Sequence, residues 1–352
     1  MEERPFWKSG PLGPRQPHRI AGLQPRWLLT GEVDPLISRD NHMPELPEVE
    51  TIARGLAKRV TGDVVDSVWL GQKKEPLKSP ASAIAATLEH SRIAAVRRMG
   101  KHIVFDLDCV GRTLLSAKGR EPKPSRKGSK APLVQPSSSP HAEEDMSVRP
   151  TQSKAQWIVH LGMTGRLQVC EPQSEVLKHT HAILKLSSGR ELRFVDPRRF
   201  GRLSVAQTGD FDAAGVEPLE VDLDRFLALF RGRKTPIKSA LLNQNLLRGV
   251  GNIYADESLF RAGLRPRRRA STITRDQLAK LLTAVKEVLK EAIALGGSSI
   301  SDYVDADGEE GFFQLQHRVY GREGEPCVVC KTPIKRVVIA GRSSHFCPKC
   351  QK

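Results

Sequence analysis

Apolar residues recur every three to four positions through Val49, Ile52, Ala53, Leu56 and Val60, which predicts a helix starting just after Leu46 and stopping at Thr61-Gly62. Pro47 suits its first turn, where a missing N–H costs nothing, and Glu48 and Glu50 complement the positive end of the helix dipole. Alternation of apolar and polar positions then predicts strands over 64–70, 93–97, 102–107, 157–161, 166–169, 181–186, 191–195 and 202–205, parted by turns such as Ser188-Gly189. A series of short strands like this reads as antiparallel sheets packed as a sandwich. From Asp222 the period lengthens and predicts helices over 223–230, 236–243, 253–261 and 275–295. The last carries Leu278, Leu281, Leu282, Val285, Val288, Leu289 and Ala292 on one face and is stopped by Gly296-Gly297. Beyond Gly311 the pattern breaks into short strands and turns around cysteines. The expected fold class is α+β and multidomain: an N-terminal β-sandwich with flanking helices, a helical domain and a C-terminal ribbon.

Two stretches carry no such pattern. Residues 1–42, rich in Pro, Arg and Gly, read as a disordered or non-native extension. Residues 118–154, full of Ser, Pro, Lys and Gly, have too little apolar content to fold alone and read as a disordered insertion at a loop tip. The resulting division is an N-terminal sandwich over 43–206, a helical domain over 207–313 whose end, 298–313, forms a glycine-rich loop, and a ribbon over 318–352.

Charge narrows the partners. The 352 residues hold 56 Lys and Arg against 40 Asp and Glu, a formal charge of +16 and a pI near 9.8. That balance suits a polyanion such as nucleic acid, although charge alone equally fits a basic, solvated surface. No apolar run reaches the roughly eighteen residues of a spanning helix, and Trp27-Leu28-Leu29 is too short for a secretory signal, so the expectation is a cytoplasmic protein without a membrane partner. Of six cysteines, Cys109 and Cys170 stand alone, while Cys327-x2-Cys330 and Cys347-x2-Cys350 are separated by sixteen residues. Two close thiol pairs at this spacing form a four-cysteine zinc ribbon, with one structural Zn²⁺ and no open coordination position. The hairpin between the pairs carries Lys331, Lys335, Arg336 and Arg342. A guanidinium at its tip could take a phosphate as a fork or stand free in solvent.

Six motifs in a fixed order add a family. They are Met43-Pro44-Glu45-Leu46-Pro47-Glu48, Arg97-Arg98-Met99-Gly100-Lys101, His160-Leu161-Gly162-Met163-Thr164-Gly165, Asp196-Pro197-Arg198-Arg199-Phe200-Gly201, Gly249-Val250-Gly251-Asn252-Ile253-Tyr254-Ala255 and the ribbon. From Met43 to Lys352, apart from the insertion, the chain resembles the bacterial formamidopyrimidine-DNA glycosylases. The resemblance implies a helix–two-turn–helix element within 238–262. It also implies a bifunctional enzyme that removes oxidised purines such as 8-oxoguanine and formamidopyrimidines, then cuts the abasic strand by β,δ-elimination. Its partner would be double-stranded DNA holding a damaged base, bound by a monomer.

Catalysis by motif match falls to Pro44 as nucleophile, Glu45 as proton shuttle, Lys101 as proton donor for β-elimination and Arg342 for δ-elimination. Met163, Arg198 and Phe200 match the trio that fills the gap left by a flipped nucleotide. The resemblance gives Lys238 and Asn252 contacts to phosphates near the lesion and makes His179 a DNA-contacting position, and Arg199, Arg233 and Lys234 are further phosphate candidates. The paired Phe312-Phe313 of the glycine-rich loop could cap the flipped ring. Read from residue type alone, Glu45 is as readily a helix cap, and Met163 and Phe200 as readily core. Pro44 imposes a condition: an internal proline nitrogen is a tertiary amide without nucleophilicity, so Met43 must be the true start or Pro44 must be freed some other way. Two other readings stay open at this point: an endonuclease VIII-like enzyme for oxidised pyrimidines, or a noncatalytic zinc-stabilised DNA-binding protein if Pro44 is not N-terminal.

Overall fold

The computed structural model describes residues 43–109, 153–208, 210–298 and 311–352. Residues 1–42, most of the expected insertion and most of the 298–313 loop lie outside the described residues.

The amphipathic helix α1 (Leu46–Val60) forms as its pattern predicts, with Pro47 in the first turn. A second, short helix α2 (Ala81–Leu88) has no counterpart in the sequence reading. Only Ile84 and Leu88 of it are buried, and an alanine-rich stretch with two apolar anchors gives almost no periodic signal. Eight antiparallel strands follow the predicted order: β1 (Val65–Leu70), β2 (Ser91–Met99), β3 (His102–Cys109), β4 (Ser153–His160), β5 (Arg166–Cys170), β6 (Thr180–Leu186), β7 (Glu191–Val195) and β8 (Arg202–Gln207). β4 begins within the expected insertion, because Lys154 pairs with Asp108 and the ladder extends past the apolar stretch. The strands form two sheets, β1-β6-β7-β5 and β2-β3-β4-β8. Val65, Leu184, Phe194, Phe105, Trp157 and Leu203 meet between them with Ile52 and Leu56 of α1, so both sheets and the helix share one core.

The helical region is built from α3 (Leu223–Phe230), α4 (Ile237–Leu241), α5 (Asn252–Arg261) and α6 (Arg275–Ala294) around a second core. The first residue of α1, Leu46, belongs to that second core, while Val49 onward belongs to the sheet core. The N-terminus of α1 is therefore wedged at the junction of the two. A buried guanidinium reinforces the junction: Arg98 binds Glu50 of α1 at 2.7 Å and Glu217, at the start of the helical region, at 2.8 Å. The ribbon hairpin, β9 (Lys335–Ile339) and β10 (Arg342–Phe346), has a core of only a few residues and leans on Phe260 of α5.

Candidate active site and DNA-facing surface

Pro44 and Glu45 are buried immediately before α1. Glu45 occupies the N-cap position and reaches across the domain junction, where its Oε1 accepts the Ile253 N–H at 3.1 Å in the first turn of α5. A carboxylate at a helix N-terminus is favoured by the unpaired N–H groups there. The approach is close: a Cβ on Gly251 would lie 2.1 Å from Glu45 Cδ, so glycine at this position lets the carboxyl stay where it is. Leu46 donates its N–H to the Gly249 carbonyl at 3.0 Å, and Gly249 has φ +90° with its Cα against the Leu46 side chain. The Gly-x-Gly turn thus serves to seat the 45–46 segment.

Glu48, which the sequence marks only as a residue complementing the helix dipole, is the hub beneath this segment. Its Oε2 accepts the Glu45 N–H at 2.9 Å; its Oε1 accepts the Ser298 N–H at 2.8 Å and the Tyr254 hydroxyl. Burial, with the Glu48 and Glu45 carboxylates nearby, holds the Tyr254 phenol well above its ordinary range, so it remains a donor. One carboxylate thereby ties the N-terminal segment, α5 and the base of the 298–313 loop together. The signal for it was its i+3 spacing from Glu45, which also makes a capping box.

Lys101 sits with Gly100 (φ +60°) on the tight turn between β2 and β3. Burial pushes its ammonium below the usual lysine range; the Glu45 and Glu48 carboxylates oppose that, and the Arg342 guanidinium adds to it. Glu45 and Glu48 from the start of α1 and Arg342 from the ribbon therefore all act on Lys101 at the sheet turn. Arg342 is exposed and opens β10 right after the Ala340-Gly341 turn, whose residues have φ +46° and +75°. Asn252, the first residue of α5, donates from Nδ2 to Ser343 Oγ at 3.3 Å, next to Arg342.

Two loops carry the expected gap-filling residues. Gly162 packs against the Phe200 backbone so closely that a Cβ would lie 2.5 Å from its carbonyl carbon, which sets the loop that carries Met163 against the loop that carries Phe200. Phe200 is 54% exposed, and the Arg198 guanidinium lies over its ring at 5.2 Å. Neither residue is core. Asp196 holds the pair of loops: its carboxylate accepts the Thr164 hydroxyl at 2.6 Å and the Gly201 N–H at 2.7 Å. His179 (φ +130°) and Arg199 (φ +58°) adopt backbone conformations that side chains disfavour, and both hydrogen-bond to the Asp196 main chain. Asp196 is therefore a positioning residue, a role that nothing in its motif's residue types reveals. Near Lys101, His160 is held neutral, its pKa lowered to about 3 by burial and then by His102, Arg202 and Lys101. Its Nδ1 accepts the Gly162 N–H at 3.0 Å and so steadies the Met163 loop.

Arg233 and Lys234 are exposed before α4. Two expectations need correction. Lys238 is not on the surface: its side chain is fully buried and paired with Asp256 at 2.7 Å, because α4 presents it to α5 and the ribbon. Phe313 is not free to cap a flipped base, since it is fully buried against Tyr254 in the helical core; its neighbour Phe312 is 58% exposed.

The four ribbon thiols Cys327, Cys330, Cys347 and Cys350 lie within 4.8 Å of one another, with Cys327–Cys350 at 3.9 Å and Cys330–Cys347 at 3.4 Å. Tetrahedral Zn²⁺ with Zn–S bonds of about 2.3 Å sets its sulfurs about 3.8 Å apart, so the cluster fits one structural zinc.

Comparison with known proteins agrees along the whole described chain. The formamidopyrimidine-DNA glycosylase N-terminal domain matches residues 43–203, the H2TH domain of the same enzymes 214–304, and the zinc finger found in FPG and IleRS 324–352. Formamidopyrimidine-DNA glycosylase of Solibacter usitatus is 42% identical and that of Gluconobacter oxydans 38%; each aligns over its full length with 88% of this chain. Among solved structures, the MutM (FPG) protein of Thermus thermophilus is 37% identical with a TM-score of 0.68, covering 88% of this chain and 98% of that one. A mutant Lactococcus lactis FPG in complex with Fapy-dG-containing DNA is 28% identical with a TM-score of 0.70, covering 88% and 100%.

Proposed function

This chain belongs to the formamidopyrimidine-DNA glycosylase family, and from that premise we propose how its own residues carry the reaction. It is a bifunctional DNA glycosylase and abasic-site lyase of base-excision repair, directed at oxidised purines. The acting species begins at Pro44. Freed of Met43, the proline nitrogen is a secondary amine, and a free α-amine titrates near pH 7.7–8.0, so a useful fraction is neutral at working pH. Attack on C1′ forms the N–C1′ bond and expels the damaged base with the glycosidic electron pair; the nitrogen then loses its proton, the C1′–O4′ bond breaks with O4′ taking up a proton, and the nitrogen lone pair closes an iminium on the opened sugar. A secondary amine has no second proton to give, so the iminium keeps its charge and acts as electron sink while the 3′ phosphate and then the 5′ phosphate leave.

Glu45, beside the nucleophile, moves protons at the sugar and leaving base. Lys101 supplies the proton for the first elimination and Arg342 supports the second through its phosphate. Flipping costs a few kcal/mol, and Met163, Arg198 and Phe200 fill the void it leaves. Asn252, Arg199, His179, Arg233 and Lys234 hold phosphates, which positions the enzyme without reading sequence. The zinc folds the ribbon that presents Arg342. The protein works as a cytoplasmic monomer on duplex DNA; no helix among the described residues is long and apolar enough to cross a membrane.

What carries this reading is the seating of Glu45, the residue after Pro44, on the first turn of α5, whose Asn252 reaches Ser343 next to Arg342, with Lys101 feeling the charges of both Glu45 and Arg342. Borohydride trapping on 8-oxoguanine duplex tests it. Protein beginning at Pro44 gives a covalent complex; protein retaining residues 1–42 gives none. Equal trapping by both would reject Pro44 as nucleophile. A Lactococcus lactis Fpg structure holds DNA with an oxidised pyrimidine, which favours oxidised pyrimidines as a second substrate class here. Incision of thymine glycol duplex measures it.

A further inference from the structure

The ion pair Lys238–Asp256 takes part in none of the steps above. Both side chains are fully enclosed and 2.7 Å apart. Burial lowers the Lys238 pKa and the Asp256 carboxylate opposes that, so the pair depends on its geometry. Both members also reach β10. Lys238 Nζ donates to the Ser343 carbonyl at 2.5 Å, and Asp256 Oδ2 accepts the His345 N–H at 2.8 Å.

The register of the ribbon hairpin explains what these two bonds do. Arg342 pairs with Ile339 across the two-residue turn, so Arg342 and Ser344 direct their backbone N–H and C=O groups toward β9. Ser343 and His345, one residue out of phase, direct theirs to the open edge. A strand edge left unpaired is free to shift. Here the edge is filled by an ammonium that donates and a carboxylate that accepts, held together as one unit on α4 and α5. Arg342 is the residue next to the first of these bonds. The other end of the ribbon has separate ties: Arg265 donates to the Gln351 and Pro348 carbonyls, and Lys352 donates to the Gly263 carbonyl.

We propose that Asp256 is a positioning residue for Arg342: through Lys238 and the open edge of β10 it fixes the hairpin tip, and thereby governs the second elimination while leaving base release and the first elimination alone. The proposal rests on the assignment of Arg342 to that second step.

The test uses the full zinc-loaded enzyme beginning at Pro44, on duplex with a preformed abasic site. The variants are Asp256→Asn, and the double variant Lys238→Met with Asp256→Leu, which leaves no unpaired buried charge. Three quantities are read: the ratio of 3′-phosphate ends (second elimination) to 3′-unsaturated aldehyde ends (first elimination), the borohydride-trapped yield, and the zinc content. A tip loosened by about 1 Å lowers the end ratio by roughly tenfold or more while trapping and zinc stay within about twofold of wild type. In an Arg342→Gln background, Asp256→Asn adds no further change in the ratio. A wild-type end ratio in both variants overturns the proposal. So does a parallel loss of trapping, both eliminations and zinc, which is what a purely structural pair would give. An unchanged ratio in Arg342→Gln alone sinks the role of Arg342 itself, a separate result from failure at Asp256.

Discussion

Replacing Gly251 by alanine separates the position of Glu45 from its chemistry. The backbone at Gly251 is extended (φ −128°, ψ −158°), a conformation open to any residue, so the added methyl acts through contact alone. Its carbon would sit 2.1 Å from Glu45 Cδ and 2.4 and 2.5 Å from the two carboxylate oxygens. Ordinary contacts begin near 3.4 Å, so the carboxyl must withdraw by more than about 1 Å, a displacement that can cost on the order of 100-fold in rate when it falls on a reacting group. Withdrawal also strips the Ile253 N–H of its charged acceptor, a bond worth about 1.5–3 kcal/mol, so the melting temperature falls as well. The assay is single-turnover base release from 8-oxoguanine duplex, set beside strand cutting at a preformed abasic site and beside Glu45→Gln. Gly251→Ala should approach Glu45→Gln in base release and lose much less in strand cutting. Base release at the wild-type rate would refute the claim that this carboxylate must occupy its observed place.

Other expectations concern pH and metal. Because the Lys101 pKa is lowered, chiefly by burial, its ammonium deprotonates at a lower pH than free lysine, near 10.4. First-elimination rates at preformed abasic sites should therefore decline on an alkaline limb that begins below that value and moves upward in Lys101→Arg; an unmoved limb would assign the proton to another group. His160 is depressed to about 3, so between its ordinary value near 6.5 and that point the unfolded chain binds a proton that the folded chain refuses. Stability must then fall with falling pH, by at most about 1.4 kcal/mol per unit from this ring, and His160→Gln should flatten the acid side of the melting profile; a profile as steep as wild type would count against it. Zinc removal by chelator or Cys330→Ser should unfold the ribbon, whose few core residues cannot hold it alone, and abolish strand cutting, while circular dichroism retains the signal of the sheets. Chelated protein that cuts at full rate would contradict the structural role of the metal.

Periodicity and ligand spacing were legible because each is a local property. The α1 face, the eight strand segments, the long α6 face and the two Cys-x2-Cys pairs follow from residue order alone, since 3.6-fold and two-fold repeats and a tight thiolate turn need no partner to be recognised. Candidate site residues came from motif resemblance. What the sequence could not supply was which of them share a space. That Lys238 is sealed against Asp256 depends on how α4, α5 and the ribbon pack, that Phe313 faces inward while Phe312 faces out depends on the helical core, and that Glu48 gathers Glu45, Tyr254 and Ser298 depends on two cores meeting at Leu46. Burial and long-range hydrogen bonds are set by how the sheets, α5 and the ribbon close on one another, so tertiary structure alone decided whether a cation meets solvent or a carboxylate.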